Sequence, residues 1–187
     1  MPRNATLKTR LGRDDWLRST LAALMEEGIG GVRIERIAKT LGVTRGSFYH
    51  HFADREDLLR ELLDHWMEES TTRIRDEVGA LGLDPVNTLS ALSRMIRHRD
   101  GSTFDVAIRA WALHDEMARE YAARADEARL EFIRSQFVAA GFEGLDAENR
   151  ARIFMYYEMS EPAVFANQTR ELEDALIEKR IELLTRR

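Results

Sequence analysis

The residues best equipped for chemistry lie between Ile34 and Phe52, in the run I-E-R-I-A-K-T-L-G-V-T-R-G-S-F-Y-H-H-F. Arg45, Ser47, Tyr49 and His50 bring a guanidinium fork, two hydroxyls and an imidazole close together. That set suits hydrogen bonding to base edges and phosphates in the major groove of DNA. Arg45 can donate two bonds to a guanine edge or one to a phosphate. Tyr49 can place its hydroxyl on a phosphate while its ring covers the sugar. Gly46 leaves no bulk where a short helix would press on a duplex, and Thr44 can cap that helix through its hydroxyl. Arg33 and Arg55 stand at the starts of the flanking helices, whose free N–H groups suit phosphate. Lys8, Arg10 and Arg13 form a basic arm able to reach neighbouring phosphates.

Other chemistries find less support. The five histidines include the neighbours His50 and His51, which point about 100° apart on a helix and do not share an ion easily. His65, His98 and His114 lack the i, i+4 partners of a zinc site, so no metal is expected. There is no Gly-rich phosphate loop, no G-x-S-x-G and no triad spacing, so neither a cofactor nor an enzyme is expected. A helical enzyme and a module whose helix pair contacts protein remain the alternatives. Turnover of a substrate, or binding without preference for any DNA sequence, would favour them.

Those side chains need short helices to hold them. Trp16, Leu17, Leu21, Leu24 and Met25 repeat with helical spacing and predict a helix from about Asp14 to Gly28. Ile34, Ile37, Ala38 and Leu41 predict a second, ending at Gly42, and a third covers Arg45–His51. Ala38 is small where two axes approach, Gly42 permits the left-handed turn, and Ile37, Leu41, Val43 and Phe48 supply a shared core. Asp54 and Asp57 begin a fourth helix, about 54–79. Asp84-Pro85 starts a fifth. Further helices are expected near 103–113, 115–140, 146–166 and 168 to the end. The fold class is therefore all-α, with about nine helices.

Composition sharpens this division. The chain of 187 residues has a formal net charge of −5 and no Cys. Disulfides and Cys-ligated zinc are thereby excluded. Residues 1–55 carry a net +4 and residues 56–187 a net −9. A basic reader, 1–55, thus precedes an acidic body, 56–187, a hint of nucleic-acid contact by the first part. No run of 18 apolar residues suits a membrane span, and the first eight residues lack the apolar core of a secretory signal. A cytoplasmic location is expected.

The acidic body is rich in aromatics and methionines, which can line an apolar cavity or simply pack helices. Trp66, Met67, Met95, Phe104 and Trp111 are the pocket candidates, with Arg109, His98 and His114 as polar groups that can orient a ligand. The stretch Glu127–Glu131 beside Arg124, Arg129 and Arg134 reads as a solvated face with i, i+4 pairs. Phe154, Tyr157, Phe165, Leu172, Leu176, Ile177 and Ile181 give the last two helices more apolar surface than a terminal pair should expose. They are the candidates for a self-association surface.

Residues 11–63 resemble the DNA-binding domain of the TetR family of bacterial transcriptional regulators. The matching residues are Ile37-Ala38, Leu41-Gly42-Val43, Gly46-Ser47-Phe48-Tyr49-His50-His51-Phe52 and Arg55-Glu56-Asp57-Leu58-Leu59. The resemblance implies a homodimer whose three N-terminal helices bind a palindromic operator in double-stranded DNA. It implies a divergent helical C-terminal domain that binds a small-molecule effector and dimerises through its last two helices. It implies that the helix at about 54–79, which joins the two parts, is the lever between them, and that the protein is a repressor. Two positions depart from the family pattern: Arg33 stands where Ser or Thr is usual, and Arg55 where Lys is frequent. Neither change removes a hydrogen-bond donor.

Overall fold

The computed structural model describes residues 11–98, 102–164 and 169–187, and all regular structure among them is helical. The chain forms two compact units, divided between Leu62 and Leu63.

The first unit holds α1 (Arg13–Glu27), a 3-10 turn (Ile29–Gly31), α2 (Ile34–Leu41), α3 (Arg45–Phe48) and the start of α4 (Arg55–Met67). Asp15, in the first turn of α1, accepts from the Gly12 N–H at 2.8 Å and so anchors the helix start. Trp16, Leu17, Thr20, Ala23 and Leu24 make the buried face of α1. Phe48 is the centre of this small core. It is fully buried, meets Trp16 edge-on at 5.4 Å and stacks on Phe52 at 5.3 Å. Leu41 and Val43 are only half-buried, so Ile37, Ala38 and Phe48 carry the α2–α3 junction.

The turn between α2 and α3 is a Schellman motif. Gly42 takes the left-handed conformation, φ 68° and ψ 29°. Val43 N–H then donates to Ala38 O at 2.9 Å and Gly42 N–H to Lys39 O at 3.1 Å. The last carbonyls of α2 are satisfied by this one glycine. α3 is shorter than the spacing predicts, ending at Phe48 rather than His51. His50 N–H and His51 N–H donate three residues back, to Ser47 O and Phe48 O, which tightens the chain out of α-geometry. Thr44 sits at the N-cap with extended backbone, but its hydroxyl makes no cap bond, contrary to the role expected for it. Asp54 does cap α4, accepting from Asp57 N–H at 2.8 Å, while Asp57 accepts from Ala53 N–H at 2.9 Å.

The second unit continues α4 into a five-residue π-turn (Glu68–Thr72) and α5 (Arg73–Ala80), then α6 (Pro85–His98), α7 (Ser102–Ala112), α8 (Glu116–Ala139), α9 (Gly144–Val164) and α10 (Arg170–Thr185). The helix expected at 54–79 is thus continuous but carries a π insertion. Asp84 caps α6 through the Val86 and Asn87 N–H groups at 3.1 and 3.2 Å, with Pro85 in the first turn. α8 ends on a second Schellman turn: Phe142 N–H reaches Phe137 O at 3.1 Å, and the two rings meet at 6.1 Å. α8 packs on α6, α7 and α9, and α10 packs on α6. The core gathers Ile74, Val78, Leu89, Leu92, Ile133, Phe137, Phe154 and Ile177.

One charged cluster is buried in this core. Arg180 of α10 donates to Glu158 Oε1 of α9 at 2.7 Å, and Ser93 of α6 donates to the same oxygen at 2.5 Å. Arg97 lies 3.8 Å from Glu158 Oε2. A buried group of this kind adds little net stability, but removing any one partner leaves a buried charge uncompensated.

Candidate functional site

Two separate places collect functional side chains. The first is the outer face of α2 and α3. Arg33, Thr44, Arg45, Gly46, Tyr49, His50 and Arg55 are exposed and Ser47 is half-buried. The buried Trp16–Phe48–Phe52 cluster supports it, and Tyr49 packs edge-on against Phe48 at 5.1 Å. Arg45 donates to the Tyr49 hydroxyl at 3.2 Å and pairs with Glu35 of α2 at 3.1 Å. The Tyr49 hydroxyl first, then the Glu35 charge, hold its guanidinium above its ordinary value. Arg45 and Tyr49 therefore act as one unit, preset side by side.

Arg55 has other employment. Its Nε donates to Val32 O at 3.0 Å and its Nη2 to Ile29 O at 3.3 Å, tying α4 to the α1–α2 connection. Arg33 donates to Gly30 O at 3.1 Å. Of the basic arm, Lys8 and Arg10 lie outside the described residues. Arg13 is a residue of α1, paired with Glu61 and lying over the Phe52 ring at 5.0 Å, so it is no free arm.

Gly46 is informative because nothing inside the protein requires it. A Cβ there meets only Thr44 Oγ1, at 3.6 Å, an ordinary contact. Gly46→Ala is therefore expected to leave stability unchanged or to raise it by up to about 0.5 kcal/mol, since Ala is the better helix former. If the position faces DNA closely, the same methyl costs binding about 1–3 kcal/mol. A denaturant melt and a DNA titration on one preparation check both halves.

The second place is a cavity of about 440 Å³ inside the C-terminal unit, within the size range of small-molecule sites. Ile74, Leu92, Ile96, Phe104, Phe132, Ile133, Met155 and Met159 give it apolar walls. Ser70, Thr71, Asp105, Arg129 and Glu158 supply polar atoms. Of the five pocket candidates only Phe104 lines it. Trp66 is fully buried behind the wall, where its indole N–H donates to Asp105 Oδ1 at 2.9 Å. Trp111 is buried and Met67 half-buried, both elsewhere, and Met95 packs on the main core. Arg109 stands one layer out, paired with Asp126 at 2.5 Å and Asp105 at 3.2 Å. His114 is exposed, and the His98 side chain lies outside the described residues.

Arg129 is the residue that sequence reasoning missed. Expected on a solvated face, it is turned inward and grips Asp105 with two parallel bonds of 2.9 Å. Burial by itself would raise the Asp105 carboxyl. Arg129, Arg109 and the Trp66 N–H more than offset this and hold it below the usual carboxylate range. Folding stability from ionised Asp105 is then complete above its unfolded value, near pH 4, and is lost as pH falls through the lower folded value. Asp105→Asn is expected to cost about 3–5 kcal/mol at neutral pH, the cost of removing one partner of a buried ion pair. The gap to wild type should begin to narrow only below about pH 4 and go on narrowing as pH falls further, as measured by urea melts across pH.

The self-association candidates divide. Phe154, Ile177 and Ile181 are buried in the subunit's own core and have no surface to give, a correction forced by the packing of α10 on α6. Phe165 lies outside the described residues. Leu172 is exposed, and Leu176 and Tyr157 are half-buried, the latter beneath Arg180 at 3.8 Å. Exposed apolar surface also comes from Ile153 and Tyr156 on α9 and Leu183 on α10. Among the described residues no helix is long and apolar enough to cross a membrane.

Residues 17–62 match the sequence profile of bacterial regulatory proteins of the TetR family. The chain is 32% identical over 80 residues to the transcriptional repressor KstR2 of Mycobacterium tuberculosis, a match covering 43% of this chain and 40% of that one. It is 27% identical over 153 residues to the class A tetracycline repressor from Escherichia coli, covering 80% of this chain and 64% of that one. The chain thus spans well under half the length of KstR2. Among solved structures, AibR in complex with isovaleryl coenzyme A and operator DNA superposes with a TM-score of 0.68 at 18% identity, covering 92% of this chain and 97% of that one. These relatives are regulators, not enzymes. The helix pair joined at Gly42, the Phe48-centred core and the profile match agree: residues 17–62 are similar to the N-terminal helical domain of bacterial regulatory proteins of the TetR family.

Proposed function

We propose that the protein is a DNA-binding transcriptional regulator, a repressor that binds a palindromic operator as a homodimer and is released by a small-molecule effector. It works in the compartment that holds the DNA. The observation that carries this reading is the outer face of α2–α3. Arg33, Thr44, Arg45, Ser47, Tyr49 and His50 are polar side chains on a buried aromatic support, beside a Gly46 that the fold does not need. Arg45 and Tyr49 read or clamp the duplex, and Arg33 and the helix N-termini hold phosphate. Arg55 acts mainly from within, by fixing the α1–α2 connection.

Fluorescence anisotropy against duplex DNA flanking the gene tests this. Specific binding whose log K falls linearly with log salt, by about 0.9 per phosphate neutralised, supports it. Equal, salt-insensitive affinity for every duplex contradicts it.

The cavity supports the effector part, as does the presence of both a coenzyme A thioester and operator DNA on AibR. An effector acts only if it binds one conformation better than the other. α4, whose residues extend from the first unit into the second, is the element through which such a preference acts. Two recognition helices must enter successive major grooves about 34 Å apart, so a dimer is required. Its surface is drawn from the exposed apolar residues of α9 and α10. Tyr156→Arg with Leu183→Arg is expected to give a folded monomer by sedimentation, with operator affinity reduced at least about 100-fold. A double variant that stays dimeric places the interface elsewhere.

A further inference from the structure

The π-turn Glu68–Thr72 interrupts an otherwise α-helical run from Arg55 to Ala80. Such an insertion gives up regular i→i+4 bonding and persists where something outside the helix holds it, frequently at functional sites. Here the holder is Arg129 of α8. Its Nη2 donates to Ser70 O at 3.3 Å and to Ser70 Oγ at 2.9 Å, and its Nε donates to Thr71 Oγ1 at 2.9 Å. Ser70 Oγ donates in turn to Trp66 O at 2.6 Å. Nη1 and the same Nη2 also donate to Asp105. Ser70, Thr71, Asp105 and Arg129 all belong to the cavity wall. Whatever fills the cavity therefore lies against the lock of the π-turn.

The lock is asymmetric. If Arg129 leaves, Asp105 keeps the Trp66 N–H at 2.9 Å and Arg109 Nε at 3.2 Å. Among the described residues, no other side chain donates to Ser70 O or Thr71 Oγ1. A cationic ligand would compete for Asp105 and leave Arg129 on the π-turn. A neutral one has no charge with which to displace a carboxylate. An anion competes for the guanidinium itself, where bidentate geometry is strongest.

We propose that the effector is an apolar molecule with an anionic head, carboxylate or phosphate, which draws Arg129 away from Ser70 and Thr71 and lets the π-turn anneal to α-helix. This rests on the reading of the cavity as the effector site. Annealing moves the register between α4 and α5 by one residue, about 100° of helical rotation. It supplies the two discrete states that an effector-driven population shift needs.

Hydrogen exchange on the full chain tests it, with decanoate, decyl phosphate and decanol as probes that share one tail. Arg129→Met, and separately Ser70→Ala with Thr71→Val, should slow exchange of the Ser70–Arg73 amides about tenfold without any ligand. Decanoate and decyl phosphate should do the same to the wild type, and decanol should not. If both variants fold cooperatively and exchange like wild type, the lock is overturned. If decanol slows these amides as much as decanoate, the anionic head is overturned. If the variants anneal but no probe protects the Phe132–Ile133 amides of the cavity wall, the effector reading fails, and the ligand assignment fails with it.

Discussion

The double variant Arg45→Ala, Tyr49→Ala is expected to bind operator at least about 30-fold, and up to more than 10,000-fold, more weakly than wild type, while remaining folded. The range follows from geometry. One well-placed guanidinium contact is worth about 1–3 kcal/mol of discrimination. The proposed symmetric dimer would use each contact twice, which doubles the cost to about 2–6 kcal/mol. The fold should lose only about 0.5–1.5 kcal/mol, the worth of the Tyr49–Phe48 ring contact. Both side chains are exposed, their mutual bond is 3.2 Å at the surface, and the Arg45–Glu35 pair is solvent-screened. The two singles should not add to the double, because Arg45 is oriented by the Tyr49 hydroxyl. Loss of binding with loss of structure would instead assign these residues to the fold.

Phe48→Ala is the converse and carries the largest stability cost, about 3–5 kcal/mol. Phe48 has no exposed surface and touches Trp16, Tyr49 and Phe52 at once. The first unit is small, and marginal stabilities of about 0.05–0.15 kcal/mol per residue give it only a few kcal/mol to lose. The variant should therefore show protease cleavage within α1–α3 and no operator binding. The C-terminal unit should keep its exchange-protected core around Phe137 and Phe154. Uniform destabilisation of both units would contradict their separation at Leu62. Set side by side, the two variants separate what reads DNA from what supports the reader.

Much of the reader was legible because its constraints are local. A glycine that must be left-handed, a small residue at a helix approach and an apolar residue every third or fourth position need no tertiary information. The end of α3 was not legible, since it depends on His50 and His51 choosing i−3 rather than i−4 acceptors. The C-terminal unit hid more. Periodicity identifies an apolar face but not what covers it. Ile177 and Ile181 read as a free surface and are covered by their own subunit, while Tyr156 and Leu183 are left outside. Arg129 sits among surface charges in the sequence, and only the meeting of α7, α8 and the π-turn turns it inward. The polar run Ser70-Thr71-Thr72 carries no signature of a π-turn until its external partner is known. Charge balance keeps its sign across the units: residues 1–62, which hold the proposed DNA face, carry a net +2, and residues 63–187, which hold the cavity, a net −7.

The most direct test of the central claim is selection of binding sites from a pool of random duplexes by the wild-type protein. The account predicts enrichment of one pseudo-palindrome whose half-site centres lie one helical turn, about 34–36 Å, or a multiple of it apart. It also predicts that the Arg45→Ala, Tyr49→Ala protein enriches nothing under the same conditions. A wild-type pool that stays random, or an equal enrichment by the double variant, would contradict it.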